Sequence, residues 1–375
     1  MTHHRIENTE DITGFSLTAA RKGDKVKVAV KGFITSNEKL FFIGIRDIYD
    51  IFLQSFIQLE ECNRFLILRH KNKSADVYVN DFERVLRCIS KGELIPGQLV
   101  KKNDIADIVA LEFPSIEISK TDAIIFCMRV GWKFGLYFNF SANPNLARGI
   151  ELDLSQISHE LGYAYRFLLF EDEYELIKNS ELYPKMLSDG WFPFIELIGA
   201  DYQELSNLYS RQWLDQIDDF LERFDEGRIN NMTKSWWSRK QFQGKRKLLE
   251  AGISAFLQGS NSGYINCINT LYPQIEGIIG LEFFKEHGRK PSFKELKEYI
   301  RNKAQNRFSS EDSLGFPEYF YEYLDKDIFQ KFDLLTGKID LARHSSAHGY
   351  AKQEDFTKVK ALQALLILNQ IFFYL

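Results

Sequence analysis

The chain has 375 residues, 45% apolar and 27% charged, with eight prolines and a formal charge of −4. That length exceeds one ordinary core, so two domains are expected, and the composition excludes a disordered chain. The charge excludes a protein coated in positive potential for sequence-blind DNA binding, though not a local basic groove.

Four cysteines (Cys62, Cys88, Cys127, Cys267) lie far apart and form no C-x-x-C pair. Reduced, mostly buried thiols are expected, not a disulfide framework or a zinc ribbon. Met1 to Glu10 is polar and acidic, unlike a secretory signal. The longest apolar stretch, Ala361 to Leu375, is broken by Gln363 and by Asn369-Gln370. It is shorter than the roughly 20 residues a bilayer span requires, so a soluble, cytoplasmic protein without membrane contact is expected.

In chain order, Lys25 to Lys31 alternates strictly, the period-2 signature of a strand with one wet face. Leu40 to Ile45 is a second apolar run. Trp132 to Phe140 places Trp132, Phe134, Leu136, Phe138 and Phe140 on one face. Ala142-Asn143-Pro144-Asn145 supplies turn chemistry, and Gly149 to Leu154 alternates again. These pieces predict an α+β domain over 1–180, an antiparallel sheet packed on helices such as Ile48 to Leu59.

From about Tyr183 the pattern turns helical. Residues 181–234 read as connecting helices, with apolar residues at three- and four-residue spacing from Tyr202 to Phe224. Arg228 to Leu249 carries seven Lys or Arg and no acid, with Trp236 and Trp237 in the middle. It has two readings. Lys234, Arg239, Lys240, Lys245, Arg246 and Lys247 could hold RNA phosphates while the indoles stack on bases. Alternatively the charges are a solvated helix face and the tryptophans are core.

Tyr264 to Ile279 forms a continuous apolar stripe, with Pro273 predicting a kink or break. Ser292-Phe293-Lys294-Glu295 is a capping-box start for a helix reaching about Asn306. Phe316 to Phe329 is aromatic with helical spacing. A last helix opens near Asp355, apolar on most of its circumference, which predicts burial on more than one side.

His3 and His4 read as terminal, and His70, His159 and His287 as structural or surface residues. The exception is Arg343-His344-Ser345-Ser346-Ala347-His348-Gly349. Arg343 is a fixed cation with a fork suited to phosphate. His348 can exchange a proton near neutral pH. Such a pair suits RNA cleavage by its own 2′-hydroxyl: one group moves the proton while the cation stabilises the phosphorane. Two other readings stay open. His344 and His348, four apart, could share a helix face around a metal, although no third ligand is evident. Arg343 could instead pair with Glu276 or Asp340 in a structural role.

An Arg, a polar residue, a short spacer and then His-Gly resembles the signature of HEPN-domain ribonucleases. Tyr272-Pro273-Gln274-Ile275-Glu276-Gly277 resembles a stretch seen in many HEPN proteins of defence systems. The resemblance covers roughly residues 235–375. It implies an all-α helical-bundle domain that forms a homodimer, two Arg/His motifs making one composite site without metal or other cofactor. Arg343 and His348 would then be catalytic, with His344 and Glu276 supporting. The implied activity is an endoribonuclease in antiphage defence, abortive infection or toxin-type growth arrest, with RNA as partner and an unidentified trigger or antitoxin. The alternative is an inactive HEPN module that dimerises and binds nucleotide or RNA. Residues 1–180 would sense a trigger or select substrate.

Overall fold

The structure, a computed structural model, describes residues 2–142, 150–308, 310–329 and 353–375. The architecture is α+β, a sheet-containing amino-terminal region followed by helices. The chain divides into two compact units, Met1–Cys88 with Ile108–Glu171, and Ile89–Asp107 with Asp172–Leu375. The division falls at Glu171 and Asp172 rather than near residue 180, and the segment 89–107 belongs with the helices.

The first unit contains β1 (Thr2–Ile6), β2 (Phe15–Ser16), β3 (Val28–Ala29), β4 (Lys31–Thr35), α1 (Lys39–Ile48), β5 (Phe65–Arg69) and β6 (Ala75–Val79). β7 (Val85–Ser90) and β8 (Ile105–Glu112) pair as the chain leaves this unit and returns, and β9 (Ala123–Val130), β10 (Lys133–Asn139) and α2 (Leu154–Leu169) follow. Six strands form one antiparallel sheet in the order β1-β6-β5-β9-β10-β4.

Both faces of this sheet are covered. Leu66, Leu68 and Phe126 share a core with Ile157, Leu161 and Leu168 of α2. Phe65, Ile67, Val77 and Leu136 share another with Phe41 and Ile48 of α1. Strands buried on both faces read as continuous apolar runs, not as alternation. For this reason β5 and β9 escaped the period-2 reading.

Several local expectations are corrected. Leu40 to Ile45 lies in α1, where Phe41, Gly44 and Ile48 are buried at helical spacing while Phe42 and Ile43 face solvent. The helix expected from Ile48 to Leu59 therefore begins earlier, and a π-helical turn (Tyr49–Leu53) continues it. Of Lys25 to Lys31, only Val28–Ala29 and the first residue of β4 are extended in strands, and Val26 and Val28 are exposed. Trp132 precedes β10 and is 90% exposed, whereas Leu136, Phe138 and Phe140 are buried as expected. Ile150 to Asp153 is not a strand: Asp153 caps α2, accepting from the Ser155 and Gln156 amides at 3.0 and 3.1 Å. The predicted turn at Ala142 runs into residues 143–149, outside the described residues.

The second unit carries α3 (Glu171–Lys178) from Asp172 onward, then α4 (Leu182–Ser188), α5 (Ala200–Ser210), α6 (Ile217–Glu222) and α7 (Glu226–Thr233). After α8 (Lys240–Gln243) come α9 (Arg246–Leu257), α10 (Asn261–His287), α11 (Phe293–Phe308), α12 (Pro317–Tyr323) and α13 (Lys358–Tyr374). Residues 181–234 do more than connect, because Trp191, Tyr202 and Phe220 are buried in this unit. α10 runs through Pro273 unbroken, and the buried Leu271, Tyr272 and Ile275 hold the turn whose hydrogen bond the proline removes. The predicted capping box is present at the start of α11: Ser292 N and Oγ donate to Glu295 Oε2, and Glu295 N donates back to Ser292 Oγ.

α13 is buried over nearly its whole surface. Its polar residues serve the interior. Gln370 accepts from the Ile195 amide at 2.8 Å, and Gln363 donates to the Asp189 carbonyl at 2.8 Å. Among the described residues no helix is long and apolar enough to cross a membrane.

Candidate functional site

Arg343, His344 and His348 lie outside the described residues, so the geometry of the Arg/His motif is not part of the described structure. The remaining candidates fall on the second unit. Glu276 sits half-buried on α10, and it borders a cavity of about 420 Å³ together with Lys245, Pro273 and Gly277.

The basic stretch divides by its packing. Trp236 is fully buried, its Nε1 donating to Asn369 Oδ1 of α13 at 3.0 Å. An indole so enclosed has no face to offer a base, and the core reading applies to it. Trp237 is half-exposed, with the Arg246 guanidinium 5.0 Å from its ring centroid. Arg246 also donates to Glu250 at 2.7 Å, while Lys240 and Lys247 project into solvent. Lys234 pairs with Glu93 at 2.7 Å.

Lys245 borders the cavity beside Glu276, and Arg239 borders a second one. Its Nη1 donates to the main-chain oxygen of Leu375 at 3.1 Å, and its guanidinium lies 5.4 Å from the Phe372 ring centroid. An open cavity of about 660 Å³ adjoins it, bordered also by Lys91, Ser235, Ser238, Arg307 and Phe373. Burial, and then repulsion from Arg307, hold Arg239 below the usual arginine pKa, with Glu282 opposing.

Lys91 stands at the edge of a buried charge network. Its Nζ donates to the Ile198 carbonyl at 2.6 Å, and Arg228 nearby binds Asp201 at 2.7 Å and Glu196 at 3.2 Å. Burial outweighs the attraction of Glu196 and Asp201 and lowers Lys91 to about 8. Neither Lys91 nor Arg307 was marked by the sequence, since they lie far from Arg239 along the chain and carry no motif.

In the first unit, His70 is held between two carboxylates, Nδ1 to Asp122 and Nε2 to Asp76, both at 2.9 Å. His159 contacts the Val109 carbonyl through Nδ1 at 3.0 Å, and His287 contacts the Phe283 carbonyl at 3.0 Å. All four cysteines are free; Cys127 and Cys267 are buried, Cys62 is half-buried and Cys88 exposed. Among the described residues no group of His, Cys, Asp or Glu is arranged to hold a metal ion. No family model, curated protein or solved structure matches the chain.

Proposed function

We propose that the chain is a metal-independent endoribonuclease whose homodimer forms a composite site from two Arg343…His348 motifs, acting in defence or growth arrest. The observation that carries this reading is the motif itself, Arg343-His344-Ser345-Ser346-Ala347-His348-Gly349, preceding the buried helix α13. Two features support it. The second unit is helical, as a HEPN domain requires, and Arg239, Arg246, Lys240 and Lys247 leave cationic groups on its surface where a polyanion can dock. In the reaction, Arg343 would stabilise charge on the scissile phosphate, while His348 would exchange the proton of the 2′-hydroxyl or leaving oxygen.

The test is incubation of purified full-length protein with tRNA and mixed cellular RNA, with and without EDTA, beside Arg343→Ala and His348→Ala. Chelator-resistant cutting lost in both variants is the expected result. Equal cutting by all three proteins would overturn it. RNA binding without cleavage would favour the second reading, a dimerising nucleotide- or RNA-binding module, which the cation-lined cavity beside Arg239 favours.

A further inference from the structure

The geometry points to the cavity between Lys91, Arg239 and Arg307 as a binding site for a phosphomonoester, a terminal phosphate dianion carried on a larger organic body. This inference does not depend on the ribonuclease reading. The Arg/His motif precedes α13 in the chain, whereas the cavity is built on the last residues of that helix.

Three cations from three distant segments border the same space. Lys91 follows β7, Arg239 precedes α8, and Arg307 lies in the last turn of α11. Arg239 is held in place by the Leu375 oxygen and Phe372, one of its five N–H donors being spent on that oxygen. Arg307 is exposed and, among the described residues, has no hydrogen-bond or ion-pair partner. Like charges crowded together are relieved by an anion between them, and guanidinium forks match phosphate oxygens in pairs. Lys91 spends one of its three N–H donors on the Ile198 carbonyl, and its charge adds to the field at the cavity edge.

The acids nearby do not cancel this. Glu93 borders the cavity but is engaged by Lys234, Glu196 and Asp201 near Lys91 are bound by Arg228, and Glu282 offsets only part of the effect on Arg239. Ser235 adds a hydroxyl to the lining, while Ser238 Oγ donates to the Ser235 carbonyl at 2.8 Å. A doubly charged terminal phosphate uses this set of cations more fully than a singly charged diester or carboxylate. Leu94 and Phe373 supply an apolar wall, and about 660 Å³ lies within the range of small-molecule pockets, so the ligand extends beyond the phosphate.

The chemistry fits two sources, a free mononucleotide and the 5′-phosphate of an RNA, and the experiment separates them. Isothermal titration of the full chain uses adenosine 5′-monophosphate, adenosine, inorganic phosphate, and one short RNA with a 5′-phosphate or a 5′-hydroxyl. Binding of the monophosphate but not adenosine is expected. Arg307→Gln should weaken it about tenfold or more, as for a lost charge-assisted hydrogen bond. Lys294→Gln, exposed on α11 and outside the cavity, should bind like wild type. A preference for phosphorylated over hydroxyl-ended RNA, exceeding the monophosphate's affinity, assigns the RNA terminus; the reverse order assigns the free nucleotide.

Equal binding of monophosphate and adenosine, binding of inorganic phosphate alone, or an Arg307→Gln protein that binds unchanged would each overturn the site. Arg307 makes no partner contact among the described residues and only repels Arg239, so its replacement should not lower the melting temperature. RNA cleavage is measured separately on Arg343→Ala. Loss of cutting there leaves monophosphate binding intact, and the two readings therefore fail independently.

Discussion

Trp236 and Asn369 meet through a buried hydrogen bond, indole Nε1 to amide oxygen at 3.0 Å. The contact explains two oddities of the sequence together: a tryptophan within a basic run, and a polar residue within the most apolar helix. Trp236→Phe keeps most of the packing but leaves the Asn369 oxygen without its donor. The expected cost is about 1–3 kcal/mol, read from urea unfolding. Adding Asn369→Leu should recover part of it, because the orphaned polar group is gone. Additive losses in the double variant would show that the bond is not what couples Trp236 to α13.

Two helical glycines should respond to alanine in opposite directions. A Cβ on Gly162 of α2 would lie 2.6 Å from Ala110 Cα and 2.7 Å from Ala110 N, backbone atoms of β8 that cannot rotate away. Overpacking of this kind costs about 1–3 kcal/mol, more than the roughly 1 kcal/mol of helix propensity gained from alanine. Gly162→Ala is therefore expected to lower stability. At Gly277 on α10 the nearest atom to a new Cβ is Lys245 Nζ at 3.7 Å, so Gly277→Ala should stabilise by up to about 1 kcal/mol. Melting temperatures of the two variants, compared with wild type, test both signs.

The helical half was the more legible half of the sequence. Capping at Ser292 and the all-round burial of α13 follow from local chemistry, Ser-x-x-Glu and a circumference apolar but for Gln363, Asn369 and Gln370, that a single segment carries by itself. The sheet was harder. β5 and β9 bury side chains on both faces, and a strand without a wet face has no alternation to read. Ile150 to Asp153 shows the converse error, where a capping aspartate and its neighbours imitate a strand over too few residues. The Arg/His motif rests on sequence. The Lys91–Arg239–Arg307 cavity rests on tertiary folding, since no periodicity links three cations so far apart along the chain. His70 likewise looked solitary because Asp122 reaches it only through the pairing of β5 with β9.

The Ser292 capping box gives a prediction at the helix level. Ser292 Oγ receives the Glu295 amide at 3.3 Å, and the Glu295 carboxylate, held also by Arg289, accepts the Ser292 amide at 2.8 Å. Hydrogen bonds from Arg289 and Ser292 hold Glu295 at about 2, far below the usual carboxylate pKa. Ser292→Ala should cost about 1 kcal/mol and Ser292→Gly less. A loss no larger for alanine than for glycine in chemical denaturation would mean that the side chain is not capping α11.

His70 should make the first unit sensitive to pH. Its ring lies between Asp122 and Asp76, and Asp76 also receives His3 at 3.1 Å and Arg5 at 3.5 Å. Burial lowers the imidazole pKa, but hydrogen bonds and charge from both aspartates outweigh it, and the net shift is upward. Asp76 is shifted downward, the bonds from His70 and His3 outweighing its burial. Tyr78 faces the same acids and is raised by burial and by their charge, so it stays neutral through the relevant range. A histidine whose folded pKa is raised binds its proton more tightly in the native state. The stabilisation is then complete below the unfolded value of about 6.5 and disappears as pH climbs through the folded value. The melting-temperature gap between wild type and His70→Asn should be widest near pH 6 and shrink toward pH 9, and the ring protons of His70 should titrate above 6.5 by NMR. A gap that is constant with pH, or a titration at or below 6.5, would mean that the two aspartates do not hold the imidazolium.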